Sequence, residues 1–139
     1  MLRPEILVSS VLRSHGFTVS HATLSIRADR RVRIDFHPPH TLLYAELDVE
    51  NGYAYDLNIH VNPRYRHRGV GSRLVAAYEE ICREGKLTIV VNNNQNPEFW
   101  RRKGYRRLNP FLRMRLSRLG IECRRRSLYK RPAICSSSD

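Results

Sequence analysis

The sequence predicts a mixed α/β (α+β) domain built on a mostly antiparallel central sheet with flanking helices. Three observations predict it. The 139 residues suit one domain and leave little room for a second. The first 61 residues read as one short helix followed by alternating segments split by turn residues, the pattern of an antiparallel meander. The residues beyond them switch to strand, Gly-containing turn, helix, strand, loop and helix, a βαβα unit. The expected domain is 1–135, with Ser136 to Asp139 a frayed tail.

The elements follow in order. Pro4 to His15 carries Ile6, Leu7, Val11 and Leu12 at helical spacing, and Gly16 stops it. Phe17 to Ile26 is rich in Thr, Val and Ser, as strands are. Arg31 to Phe36 alternates Val32, Ile34 and Phe36 with Arg31, Arg33 and Asp35. Pro38-Pro39 interrupts, and Thr41 to Val49 follows. Asn51-Gly52 is a two-residue hairpin signal. Tyr53 to Val61 alternates again, which places Tyr55, Leu57, Ile59 and Val61 on one face. Ser72 to Arg83 has a stripe of Val70, Leu74, Tyr78 and Ile81, and Gly85 ends that helix. Leu87 to Val91 reads as a buried strand. Asn92 to Asn96 is a polar loop, and Pro97 opens a short helix over Glu98 to Lys103, closed by Gly104. Residues 110–119 fit two periods. Leu112, Leu116 and Leu119 share a helical face, while Leu112, Met114 and Leu116 also alternate with Arg113 and Arg115. Helix is favoured, because Asn109-Pro110 is a start signal and Gly120 a stop. Arg126 to Lys130 reads as a last strand.

The net charge is +12, and all but Lys86, Lys103 and Lys130 of the 25 basic residues are arginine. A guanidinium bonds two phosphate or carboxylate oxygens at once. An anionic partner is therefore expected: nucleic acid, a phosphate-rich cofactor or an acidic protein. Cys82, Cys123 and Cys135 are odd in number and lack redox or metal-ligand spacing, which suits a reducing compartment. The six histidines are scattered, so no metal is expected. No apolar run approaches a membrane span, and Pro4, Glu5 and Ser9-Ser10 break any signal-peptide core. A cytoplasmic protein, a monomer or homodimer without membrane contact, is the expectation.

The stretch Val61-Asn62-Pro63-Arg64-Tyr65-Arg66-His67-Arg68-Gly69-Val70-Gly71-Ser72 ends a strand, turns on glycines and begins a helix. Such a junction points several backbone N–H groups one way, and the helix dipole adds positive potential. Glycine allows close approach of an anion. Arg64, Arg66 and Arg68 add charge. The spacing is not that of a P-loop, which needs Gly-Lys-Ser/Thr. Nor is it the Rossmann fingerprint, whose third glycine position is Leu74 here.

The stretch resembles motif A of the GNAT superfamily of N-acetyltransferases, Arg/Gln-x-x-Gly-x-Gly/Ala, filled by Arg66, Gly69 and Gly71. Val61, Pro63, Tyr65, Ser72 and Leu74 match its flanks. A second pattern of the family lies downstream, carried by Asn93, Asn96, Phe99, Trp100, Gly104 and Tyr105. The two motifs cover residues 57–105. The resemblance implies acetyl-CoA as cosubstrate and a sheet in which two neighbouring strands splay apart. It implies that Arg66, His67, Arg68, Gly69, Val70, Gly71 and Ser72 hold the pyrophosphate. Ile59, His60 and Val61 would bind the pantetheine arm and thioester, and Asn93 would contact that arm. The implied reaction is direct attack of an amine on the thioester. The amine belongs to a protein N-terminus, a lysine or a small molecule, and a backbone N–H such as that of Val61 receives the oxyanion.

The sequence departs from the family at the acid and the base. Trp100 stands where the acid tyrosine is usual; its indole does not ionise usefully, and packing against the cofactor or sheet is its expected role. Tyr55 and Thr88 occupy positions where relatives carry a base. Tyr55 and Asp56 are the candidate catalytic residues, with His60, Glu46 and Tyr105 behind them; water alone is the other route. Two arginine clusters, Arg101-Arg102 with Arg106-Arg107 and Arg124 to Arg126 with Lys130 and Arg131, exceed what one cofactor needs. They lack the basic–aromatic repeat of single-strand binders. The alternative reading is a basic RNA- or DNA-binding protein, or one that acetylates an RNA-borne substrate, on the same fold with weak or no catalysis.

Overall fold

The computed structural model describes residues 4–19, 22–26, 32–36, 41–65, 69–92 and 97–132. Its elements are α1 (Pro4–Ser14), β1 (Ala22–Ile26), β2 (Val32–Phe36), β3 (Thr41–Asp48), β4 (Tyr53–Val61), α2 (Val70–Glu84), β5 (Thr88–Val91), α3 (Pro97–Arg102), β6 (Arg106–Arg107), α4 (Pro110–Arg118) and β7 (Leu128–Lys130). The strands form one sheet in the order β1-β2-β3-β4-β5-β7-β6. Among the described residues only β4 and β5 pair in parallel, and the other pairings are antiparallel. This is the expected mixed, mostly antiparallel sheet with flanking helices. No described helix is long and apolar enough to cross a membrane.

The two faces of the sheet are covered by different helices. On one face Val8, Val11 and Leu12 of α1, Leu74, Tyr78 and Ile81 of α2 and Trp100 of α3 pack on Ile34, Leu43, Leu57 and Ile89. On the other, Leu112 and Leu116 of α4 pack with Leu108 and Ile121 on Tyr53, Tyr55 and Val90. The helical reading of 110–118 prevails for physical reasons. Asn109 caps the helix through its side-chain oxygen, which accepts the Leu112 N–H at 2.7 Å, and Pro110 occupies the first turn. The i, i+4 pair Leu112 and Leu116 is buried while Met114 faces out.

Two expectations are corrected. Asn51-Gly52 is not a two-residue hairpin. Asp48 pairs with Tyr53, so the loop is 49–52; the Asp48 carboxylate accepts from the Asn51 backbone and side chain at 3.0 and 2.9 Å. Gly52 supplies the left-handed residue, with φ 82°. The expected single face of Tyr55, Leu57, Ile59 and Val61 is broken by a bulge. Tyr44 pairs with Asn58 and Glu46 with Tyr55, so β4 spends one more residue than β3. Asp56 lies at that position with φ 53°. An extra residue inverts the side-chain parity of everything after it. Tyr55 thus joins the α4 face and Leu57 the α1–α2 face.

Candidate functional site

The site is built where β4 and β5 part. Their ladder consists of Tyr53 with Thr88 and Ala54 with Ile89. Beyond it β4 runs on beside β3 to Val61, while β5 turns its remaining pairs to β7. The bulge at Asp56 comes two residues after the last shared pair, and a bulge of this kind bends its strand. A wedge therefore opens between the two strands toward their C-terminal ends.

Past Val61 the chain makes a 3₁₀ turn over Pro63–Tyr65 and enters α2 at Gly69, whose φ of 75° and ψ of 7° are left-handed. The first helical bond runs from the Arg73 N–H to the Gly69 carbonyl at 2.9 Å. The N–H groups of Val70, Gly71 and Ser72 thus precede the ladder, with no side-chain cap and no acidic residue in the first turn. A helix start of this kind favours an anion. The two glycines differ. A side chain at Gly69 would be strained by its φ. A Cβ at Gly71 would meet only Val61 Cγ2, at 3.6 Å, an ordinary contact. Packing within the protein therefore does not require glycine at 71. Beside this helix start lies a cleft of 420 Å³ lined by Ser72, Glu98, Phe99, Arg102 and Lys103.

Of the residues expected to hold cofactor, Ile59, His60 and Val61 lie on the diverging part of β4, and Gly69, Val70, Gly71 and Ser72 at the α2 start. Arg66, His67, Arg68 and Asn93 lie outside the described residues. Trp100 is buried, with its ring edge-on to Phe99 and Tyr105 at centroid distances of 5.1 Å each. It packs as core on the α2 side, not in the open cleft.

The acid–base candidates are not gathered in one place. Tyr55 is buried under α4 and Asp56 is exposed at the bulge. Glu46 is buried beside Tyr55 in register; its Oε1 accepts from Arg33 Nε at 3.0 Å and from the Tyr44 hydroxyl at 2.8 Å. Tyr105 donates to Glu79 at 2.9 Å, and the same carboxylate oxygen meets Lys130 Nζ at 3.1 Å. Burial and the Glu79 charge push the Tyr105 hydroxyl far above its ordinary pKa. His60 is exposed, and Thr88 is half-buried, paired with Tyr53 at the closed end of the β4–β5 ladder.

Residue-level reading of the sequence missed Asn92, which ends β5 at the mouth of the wedge. Its Nδ2 donates to the Glu122 carbonyl at 2.6 Å, and the buried Ser127 hydroxyl donates to its Oδ1. These bonds tie the 121–127 segment to β5. An asparagine straight after a buried strand was the only signal for it.

The acetyltransferase (GNAT) family model matches residues 19–105, well over half of the chain. No curated protein and no solved structure matches it.

Proposed function

The chain belongs to the GNAT acetyltransferase family, and on that premise we propose that it transfers an acetyl group from acetyl-CoA to the nitrogen of an amine acceptor by direct attack. The observation that carries the proposal is the β4–β5 ladder, which ends after two residue pairs. The opening it leaves lies beside an uncapped, acid-free helix start.

The residues fit the cosubstrate. The Val70, Gly71 and Ser72 N–H groups suit a pyrophosphate, and the absence of a side chain at Gly71 leaves room for its approach. Arg102 and Lys103, on the cleft beside Ser72, suit a further phosphate. The backbone of Ile59, His60 and Val61 is assigned the pantetheine arm. Acetyl-CoA supplies a thioester whose carbonyl an amine can attack.

The chain's side chains are poorly suited to move protons. The Trp100 indole does not ionise. The Tyr105 hydroxyl is engaged by Glu79, and its raised pKa disfavours release of its proton. Glu46 is engaged by Arg33 and Tyr44. Of Tyr55 and Asp56, Asp56 is the better proton acceptor, being exposed where the wedge begins. We assign it that role through solvent, with the amine arriving neutral.

Thermal unfolding with and without acetyl-CoA tests the binding half. A ligand at about 100 times its Kd adds roughly 2.7 kcal/mol, and Gly71→Glu is expected to abolish that gain while the domain stays folded. Release of CoA thiol with a panel of amines tests the transfer half. Absence of both signals in the wild type would overturn the proposal.

A further inference from the structure

The net charge of the chain is confined to one stretch. Residues 101–131 hold 13 of the 25 basic residues and one of the 13 acidic ones, so they carry +12 and the rest of the chain is neutral. The fold gathers much of this charge on the α4 side of the sheet. Phe111, Met114, Arg115 and Arg118 follow i, i+3, i+4, i+7 spacing and share one side of α4. Phe111 is 75% and Met114 53% exposed, and both arginines are exposed. The opposite side of the helix is spent on the core through Leu112 and Leu116.

A second basic segment is fastened along the other flank of α4. The Arg113 guanidinium donates to the carbonyls of Arg124 and Arg125 at 2.9 and 2.8 Å. Ser127 Oγ accepts the Arg124 N–H at 2.7 Å, and Asn92 holds the adjoining backbone at Glu122. Arg124, Arg125 and Arg126 are left exposed. The one acidic residue here, Glu122, lies 3.9 Å from Arg124 with both side chains largely exposed, a pair too weak to neutralise the surface.

We infer that this surface binds single-stranded RNA, with phosphates on Arg115, Arg118, Arg124 and Arg125 and an unpaired base stacked on Phe111. Holding like charges side by side on a fixed backbone is unfavourable without counter-anions, and a phosphodiester chain supplies one per nucleotide. Guanidinium forks match phosphate oxygens. The linear sequence has no basic–aromatic repeat, but α4 sets the exposed Phe111 on one side with Arg115 and Arg118. Unpaired bases stacked on aromatic faces are the usual mode of single-strand RNA recognition. A membrane would need a wider apolar face than Phe111 and Met114 provide. An acidic peptide would satisfy the arginines and leave Phe111 without a planar partner. Duplex DNA calls for an element projecting into a groove, whereas α4 is anchored flat on the sheet and flanked by the 124–126 segment. The inference goes beyond acetyl transfer and does not depend on it.

Fluorescence anisotropy of the full chain with a labelled single-stranded RNA of roughly 20 nucleotides tests it. Affinity is expected to fall steeply between about 50 and about 200 mM salt, with log K against log salt sloping at about −3 for four phosphates. Arg115→Glu with Arg118→Glu should weaken binding at least about tenfold and flatten the slope by about 1.4. Phe111→Ala should weaken binding roughly tenfold and leave the slope unchanged. Circular dichroism should show both variants folded, since the three side chains are exposed. Salt-insensitive or absent binding by the wild type would overturn the inference. So would undiminished binding by the folded variants, or tighter binding to duplex DNA, to polyglutamate or to phosphatidylserine vesicles than to the RNA.

Discussion

Tyr55 and Leu57, two residues apart on β4, point to opposite faces of the sheet. Between them Asp56 holds φ at 53° and has no opposite number on β3. The residue that separates the faces of Tyr55 and Leu57 also stands two positions past Ala54, where the β4–β5 ladder ends.

Backbone strain at the bulge is measurable. Asp56→Val places a β-branched residue in the left-handed region and is expected to cost about 1–2 kcal/mol in urea unfolding. Asp56→Asn keeps a residue that tolerates this region and should unfold like the wild type. Its turnover isolates the carboxylate. A large loss supports proton acceptance by Asp56, and an unchanged rate removes Asp56 from the mechanism.

The two turn glycines should respond oppositely to alanine. Gly69→Ala is expected to lose about 1–2 kcal/mol, because its φ is 75°. Gly71→Ala should hold or raise Tm by up to about 1 kcal/mol of stability, because its Cβ fits against Val61 and alanine favours the helix. Equal losses in the two variants would contradict the geometry of the turn.

At the other end of α2 the left-handed residue is Lys86, with φ 57°, and not Gly85, with φ −84°. Lys86→Gly is therefore expected to raise stability by roughly 1 kcal/mol, read as an increase in Tm of several degrees.

Stability should decline in alkali. Burial raises the pKa of the Cys82 thiol and of the Tyr78 and Tyr105 hydroxyls in the folded chain. Each folded group stays protonated while its unfolded counterpart ionises, first the thiol and then the phenols. The stability they contribute is complete below the thiol's unfolded value of about 8.5. It is lost as pH rises above that value, by up to about 1.4 kcal/mol per pH unit for each group. Denaturant midpoints at neutral pH and in the alkaline range should show the fall, and Cys82→Ala should delay its onset. A flat profile would mean that these groups are not buried as described.

The bonds at Asn92 serve both wedge and surface. Asn92→Ala removes an acceptor from the buried Ser127 hydroxyl and a donor from the Glu122 carbonyl. A cost of about 1–3 kcal/mol is expected. Hydrogen exchange should quicken over 121–127 more than in α1, and uniform quickening would argue against a local tie.

Much of the fold is local and was legible. The βαβα order follows from Gly69, Gly85, Pro97 and Gly104 standing between apolar runs of the right length. The helix at 110–118 follows from an Asn-Pro start and leucines four apart. The extent of β4 was legible too, but its parity was not, since an extra residue in one strand leaves its alternation intact and shows only in pairing with β3. Which of the acid–base candidates are engaged was not legible for a related reason: Arg33, on β2, and Glu79, on α2, are far in sequence from the residues they bind. Arg33 and Tyr44 engage Glu46, and Glu79 engages Tyr105.

By itself the sequence determined the element order apart from the two-residue β6, the glycine turn at the start of α2, the family and the sign of the charge. These depend on residues close together in the chain. Only the tertiary structure decided where β4 leaves β5, which face each β4 side chain takes, and that Arg113 of α4 holds the distant 124–125 segment. Those outcomes depend on pairing and packing between residues far apart in sequence, where no local pattern records the neighbour.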